Sequence, residues 1–408
     1  MINDVIIIGG GAAGLMSAVY LKKNYPQMSI RILEALPRVG KKLALTGNGR
    51  CNITNKNINI SRYHGENVNF CEYALSKYDL KFTENFFKSI GLPFIFEEEK
   101  GFPYSLQGSS VVDCLRFATE SLGVITHTDT KVTNIQISNG NYKIISDNVN
   151  FIARNIIIAT GLYSGGDKLG SDGSMLSILK KAGFSVVKTT PAIVQVKTET
   201  DIVKQLKGIK INDNVTLKSN ERVIRKEFGE TLFCDYGLSG PPVLQISREI
   251  SRIQKPFEIS LDIMPNFDYE ALMKILKQRV IDLKYLNLDE FFTGFIQKRL
   301  GQVVLKTVGC KLNESVKTLT DTQLEKIAKT LKNFKFKVTG TTGFINSQVT
   351  AGGLDTTQFE NKTMMSKTNR GLYAVGEILD IDGDCGGFNL QWAWSSAMCA
   401  CDSIGNKK

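Results

Sequence analysis

Histidine is almost missing from this chain, with two residues, His64 and His127, among 408. A histidine-rich metal cluster is excluded, and catalysis by histidine has little to draw on. Cysteine occurs eight times, but never as C-x-x-C, and only Cys399 and Cys401 lie close together. That pattern supplies neither a zinc site nor a disulfide scaffold, and Cys51, alone in its region, argues against dithiol redox chemistry. No apolar run is long enough to cross a bilayer. The apolar start follows Asp4 without a basic leader, so it does not read as a secretory signal. The expectation is a cytoplasmic protein with no membrane partner. The chain shows no internal repeat, no low-complexity linker and no run of five basic residues. Its formal charge of +11, spread along the sequence, reads as a solvated basic surface and weighs against a nucleic-acid partner.

What is present begins at residue 5. Val5–Ile8 is a short β-branched run of the kind that forms a buried parallel strand. Gly9, Gly11 and Gly14 follow in the spacing G-x-G-x-x-G. The first allows a tight turn, the second lets a pyrophosphate approach the backbone, and the third lets the next helix pack close. That helix, over about Ala12 to Lys23 and including Ala13, offers unpaired N–H groups and a positive dipole end to phosphate. A second strand, Ile30–Leu33, ends in Glu34, about twenty residues past Gly14, where a carboxylate can hold ribose hydroxyls. Strand, turn, helix and acid together predict a dinucleotide site.

The polar loop Thr46-Gly47-Asn48-Gly49-Arg50-Cys51-Asn52 comes next, and Lys42 and Arg50 could meet phosphate or a substrate anion. A helix is expected over Tyr78–Ile90 and another over Ser109–Leu122. A hairpin turning at Asn139-Gly140 joins Thr130–Ser138 to Tyr142–Ser146. Its start around Val132 could offer backbone groups to adenine. The strand Asn155–Ala159 leads into Thr160-Gly161, a second turn open to a ligand.

The texture changes near Pro191. Half-buried strand patterns run to about residue 264; helices are expected over Tyr269–Leu283, Asp289–Val308 and Asp321–Lys332, with Thr320 and Gln323 as a capping box. Within Phe233–Pro242, Asp235 and Tyr236 sit in a loop ahead of a helix. The final strand, Leu372–Val375, ends in Gly376-Glu377, and Gly386-Gly387 opens a last helix with Asn389 and Leu390 in its first turn. A Gly-Glu pair can set a carboxylate on a polyol, and the helix start can face the electron-rich edge of a flavin. Asp380, Asp382 and Asp384 mimic the start of a calcium loop, but Cys385 stands where that loop needs glycine and Gln391 where it needs glutamate, so no metal is expected.

The strings T-G-N-G-R-C-N at 46–52, Y-G-L-S-G-P at 236–241 and G-G-F-N-L-Q-W-A at 386–393, with the glycine fingerprint, resemble the BaiN-type, aminoacetone-oxidase-like family of FAD-dependent oxidoreductases. The resemblance spans nearly the whole chain. It implies an α/β fold, with a discontinuous Rossmann-like FAD-binding domain at 1–190 and 341–408. An inserted substrate domain occupies 191–340, β-rich over 191–264 and helical over 265–340. It implies FAD held at Gly11, Gly14, Glu34, Lys42, Gly161, Glu377 and Asn389. The other expected cofactor contacts are Gly9, Ala13, Gly47, Val132, Thr160, Gly376, Gly387 and Leu390. The implied activity is hydride transfer between flavin N5 and a small organic substrate, as amino-ketone oxidation or as NAD(P)H-driven reduction of a conjugated ketone. With no second G-x-G-x-x-G, NAD(P)H is expected to dock only transiently. Tyr236, Arg50 and Asp235 are the acid–base candidates. The alternative is a flavoprotein that binds transfer RNA or another nucleic acid.

Overall fold

The computed structural model describes residues 2–138, 140–253 and 255–406. Asn139, in the expected hairpin turn, lies outside them. The chain divides into two compact units, Met1–Pro191 with Phe344–Lys408, and Ala192–Gly343.

In the first unit, β1 (Ile2–Ile8) leads into α1 (Ala12–Asn24) and β2 (Ile30–Leu33). Next come β3 (Ile125–His127), β4 (Val132–Ser138), β5 (Asn141–Ser146) and β6 (Asn150–Ile158). The unit closes with β7 (Leu372–Ala374) and α2 (Phe388–Gly405). The parallel strands stand in the order β3-β2-β1-β6-β7, and the first half of β6 pairs with β5 in an antiparallel ladder. Val5, Ile6 and Ile7 are fully buried, as a central strand covered on both faces requires.

Register then positions the site. Ile8 is level with Leu33 on one side and Ile158 on the other, and Ile158 is level with Ala374. The residues that follow, Glu34, Gly9, Ala159 and Val375, therefore line one edge of the sheet. Chain order reverses between β1 and β6, and ligands of open α/β sheets bind outside the carboxyl ends at such a point.

The second unit is a closed antiparallel barrel of strands Val196–Thr198, Gly237–Ser239, Arg222–Cys234, Lys210–Ser219, Glu258–Asp262 and Phe334–Thr341, in that order. Helices Tyr269–Asp282 and Asp321–Lys332 pack together beside it, and the capping box at Thr320 and Gln323 is formed. Three expectations need correction. The stretch 265–340 is not wholly helical, because Phe334–Thr341 closes the barrel. The helix expected over Asp289–Val308 is a single 3₁₀ turn and then a helix only from Lys298, capped by the Gln297 side chain. The helix expected from Tyr78 starts at Leu80, because Asp79 accepts from the Phe82 N–H and fixes the start there.

Candidate cofactor site

The glycine turn is built around its missing side chains. A Cβ on Gly14 would lie 1.9 Å from the Gly9 carbonyl oxygen, so α1 packs against the turn at backbone distance. Gly9 has φ +105°, and a Cβ there would strike the Ala159 carbonyl at 2.6 Å. Gly11 differs: a Cβ there would meet nothing within 4 Å. Gly161, at φ +63°, also faces open space. Two glycines thus serve packing, and two border room for a ligand.

Glu34 lies across this mouth. Its carboxylate accepts from the N–H groups of Gly10 (2.7 Å) and Leu36 (2.8 Å). Burial, opposed by those hydrogen bonds, moves its pKa above the usual value. Among the described residues, the Thr160 hydroxyl reaches only the Gly161 carbonyl, at 3.3 Å. Val132 is buried at the start of β4, where the ladder slips register between Val132 and Asn134.

The two ends of the chain meet here. A Cβ on Gly376 would sit 3.2 Å from that of Ala13 and 3.7 Å from that of Ala393. The Gly376 N–H donates to Ser396 (3.0 Å), and the Trp392 indole donates to the Gly376 carbonyl (3.2 Å). Helices α1 and α2 both start at glycine, at Gly11 and Gly387, with no side-chain cap and no acid in the first turn. Their free N–H groups and dipoles suit anionic or electron-rich groups. These features fit a dinucleotide as extended as FAD.

The segment just past the first string, residues 53–55, and the stretch 386–394 form one assembly. Thr54 donates to Gln391 Oε1 at 2.7 Å, Asn55 to the Gly386 carbonyl at 2.8 Å, and the Trp394 indole to the Ile53 carbonyl at 3.0 Å. Gln391 Nε2 donates to the Tyr78 carbonyl, Thr83 and Ser395, each at 2.9 Å. Gly387 is required, since a Cβ would stand 2.4 Å from the Thr54 carbonyl. Gly47, Asn48, Gly49 and Cys51 all have positive φ, so the polar loop is tightly coiled. Cys51 is fully buried, and burial pushes its thiol up to about 12. It is a packing residue, not a nucleophile.

Lys42 and Glu377 find each other at 2.6 Å. Lys42 also donates to Ser164 (2.7 Å), and Glu377 accepts from Ser164 and from the Thr350 N–H (3.1 Å). Neither Ser164 nor Thr350 was among the residues the sequence singled out. Asn389 holds the loop before α2, its amide pairing with the Gly383 N–H and carbonyl at 2.8 Å each, which leaves its backbone N–H for a ligand. Leu390 is half-buried against the core. The calcium-like acids are committed elsewhere: Asp384 binds His64 (2.8 Å) and Arg62 (3.3 Å), and Asp380 accepts from the Glu66 N–H.

The acid–base candidates fall in different units. Arg50, in the first, pairs with Glu97 and lies 4.4 Å over the Phe102 ring. Asp235 and Tyr236, in the second, occupy a hairpin turn between barrel strands rather than an open loop. Asp235 is exposed and bound by Lys207 at 2.6 Å, which lowers its pKa. Burial, then the contact with Cys234, moves the Tyr236 phenol well above its usual range.

Residues 3–403 match the family described as HI0933-like protein Rossmann domain. The chain belongs to the HI0933-like family. A 3-dehydro-bile acid delta(4,6)-reductase of Clostridium scindens is 32% identical to this HI0933-like chain over 404 residues, covering 98% of each. A ribosomal RNA dihydrouridine synthase of Haemophilus influenzae is 28% identical, again covering 98% of each. Among solved structures, the 3-ketosteroid-delta4-(5alpha)-dehydrogenase of Rhodococcus jostii superposes with a TM-score of 0.51 at 14% identity, over 99% of this chain and 96% of that one, which shows the shared fold. This HI0933-like protein is a flavin-dependent oxidoreductase with a Rossmann-type domain. Among the described residues, no helix is long and apolar enough to cross a membrane.

Proposed function

We propose that this protein uses FAD to reduce a carbon–carbon double bond conjugated to a carbonyl. The observation that carries this reading is chemical. The two relatives just named cover 98% of this chain each, and both names describe hydrogen added across such a bond, in a ketone of a ring system or in a uracil ring. Bound FAD supplies two-electron transfer as hydride through N5. Gly11 and the first turn of α1 would face the pyrophosphate, Glu34 the adenosine ribose, and the start of α2 with Glu377 the ribityl and ring. Lys42 orients Glu377 through the 2.6 Å ion pair. Tyr236, its phenol kept protonated by burial, is the acid–base candidate this reading retains over exposed Asp235, which is tied to Lys207. NAD(P)H is the transient reductant in this reading.

Rapid mixing tests it. The FAD-loaded protein, reduced anaerobically by NAD(P)H, should be re-oxidised at once by a cyclic conjugated ketone. Peroxide release with aminoacetone in air, and no response to the ketone, would instead favour the oxidase. Tyr236→Phe should lower turnover at least tenfold with FAD content unchanged. A ribosomal RNA substrate is the second reading, favoured by the name of the Haemophilus influenzae relative.

A further inference from the structure

The basic excess is uneven once the fold divides the chain. Residues 192–295 hold 15 Lys/Arg and 15 Asp/Glu, which cancel. Residues 296–337 hold 10 against 3, a formal +7 in 42 residues. That stretch carries the helix Lys298–Thr307, the turn Val316–Thr318 and the helix Asp321–Lys332. Some of its cations are spent within the unit: Lys298 on Glu290, Lys332 on Asp262, Lys335 on Glu258 and Lys337 on Glu199. Lys306, Lys311, Lys317 and Lys326 are exposed, and none has an ion-pair partner among the described residues. Lys306 lies in the last turn of the helix Lys298–Thr307, with Lys311 just beyond it. The Gln323 amide donates to Cys310 Sγ at 3.8 Å, so the first turn of the helix Asp321–Lys332, which carries Lys326, lies beside that helix end. Three unpaired lysines thus sit on segments that meet there, with Glu314 as the acid near Cys310.

We propose that this face of the barrel unit docks structured RNA through its phosphate backbone. The inference rests on the second reading above and says which surface would serve it. Unpaired like charges repel one another, so concentrating them opposes stability and gains nothing for solubility that dispersed charge would not supply. Ammonium groups held on a folded surface suit phosphates, which carry binding without sequence information. A membrane surface fits less well, because none of the large exposed hydrophobic residues falls within 296–337. The same absence leaves no aromatic platform for stacking unpaired bases, which favours helical RNA over single strands.

The test uses the full-length FAD-loaded protein and a fluorescent ribosomal RNA hairpin, titrated by anisotropy between 50 and 200 mM salt. One variant carries Lys306→Gln, Lys311→Gln, Lys317→Gln and Lys326→Gln. A charge-matched control carries Lys197→Gln, Lys204→Gln, Lys274→Gln and Lys284→Gln. Four lost phosphate contacts should make the log–log salt slope shallower by about 3–4, equivalent to about 100-fold in affinity across that salt range. The control should bind like wild type, and both variants should keep FAD content and turnover of a small conjugated ketone. Equal weakening in the two variants would overturn the assignment, as would weakened binding to anionic phosphatidylserine vesicles with RNA binding intact. If wild type binds and the first variant binds equally well, the surface is wrong and the RNA reading stands. If wild type fails to bind at 50 mM salt, both fall.

Discussion

Gly11 and Gly14 are three residues apart in one motif, yet one faces open space and the other a backbone carbonyl, and two alanine variants separate them. Gly11 has φ −80° and ψ −163°, a backbone any residue adopts, and its Cβ would point into open space. Gly11→Ala should leave the apo protein as stable as wild type, or up to about 1 kcal/mol more stable through the stiffer unfolded chain. What it fills is the space a pyrophosphate would need. At a free FAD concentration 100 times the wild-type Kd, binding contributes about 2.7 kcal/mol; a site weakened a hundredfold retains about 0.4 kcal/mol. Gly14→Ala acts on the fold instead. Its Cβ would stand 1.9 Å from the Gly9 carbonyl oxygen, a backbone atom that no rotamer change can move. Helix α1 must shift, at a cost of about 1–3 kcal/mol or more. The assay is thermal unfolding of apo and FAD-loaded protein, beside a flavin fluorescence titration. Gly11→Ala should lose the FAD-dependent rise in Tm while its apo Tm is kept; Gly14→Ala should lower both by several degrees. A Gly11→Ala protein that binds FAD normally would refute the assignment of that open space to the cofactor.

Other predictions follow from single contacts. Gln391→Leu removes the buried hydrogen bonds of this amide, one accepted from Thr54 and those its two N–H groups make toward Tyr78, Thr83 and Ser395, so chemical denaturation should show a loss of about 3 kcal/mol. Asp213 is fully buried in the barrel unit, and burial raises its carboxyl from 3.8 to about 7. The folded state therefore binds the proton more tightly than the unfolded chain does. The contribution of Asp213 to stability should be greatest below about pH 4 and fall as pH climbs to about 7, by at most about 1.4 kcal/mol per unit. Asp213→Asn should flatten that fall in denaturation curves; an unchanged slope would contradict it. Native protein treated with iodoacetamide below pH 9 should carry no label on Cys51, as mapped by mass spectrometry, because the thiol is inaccessible and protonated.

The strand, glycine turn and helix at the start of the chain were legible because their signals are local. Strand, glycine turn, helix and acid lie within residues 2–34, and each is set by its own neighbours. The capping box at Thr320 and Gln323 was readable for the same reason. What stayed hidden was pairing across distance. Lys42 and Glu377 are 335 residues apart, and Thr54 and Gln391 are 337 apart. Nothing local shows that those motifs close on each other, or that Ser164 and Thr350 complete the Glu377 cluster. The barrel was readable only as alternating strands, since its closure depends on Phe334–Thr341 returning after three helices. The helix expected from Asp289 failed because apolar spacing continued through a turn that Gln297 interrupts with its cap. The basic face was missed because no run of five marks it; its cations are spaced by helix geometry and become a surface only when folded.

The central claim is that both ends of the chain close around one FAD. The direct test is the visible spectrum of the purified protein, with the cofactor released by heat and counted against protein. The account requires the bands of oxidised flavin at one FAD per chain, and loss of that FAD in Gly11→Ala with the fold intact. A colourless protein that takes up no FAD when supplied with excess would contradict it.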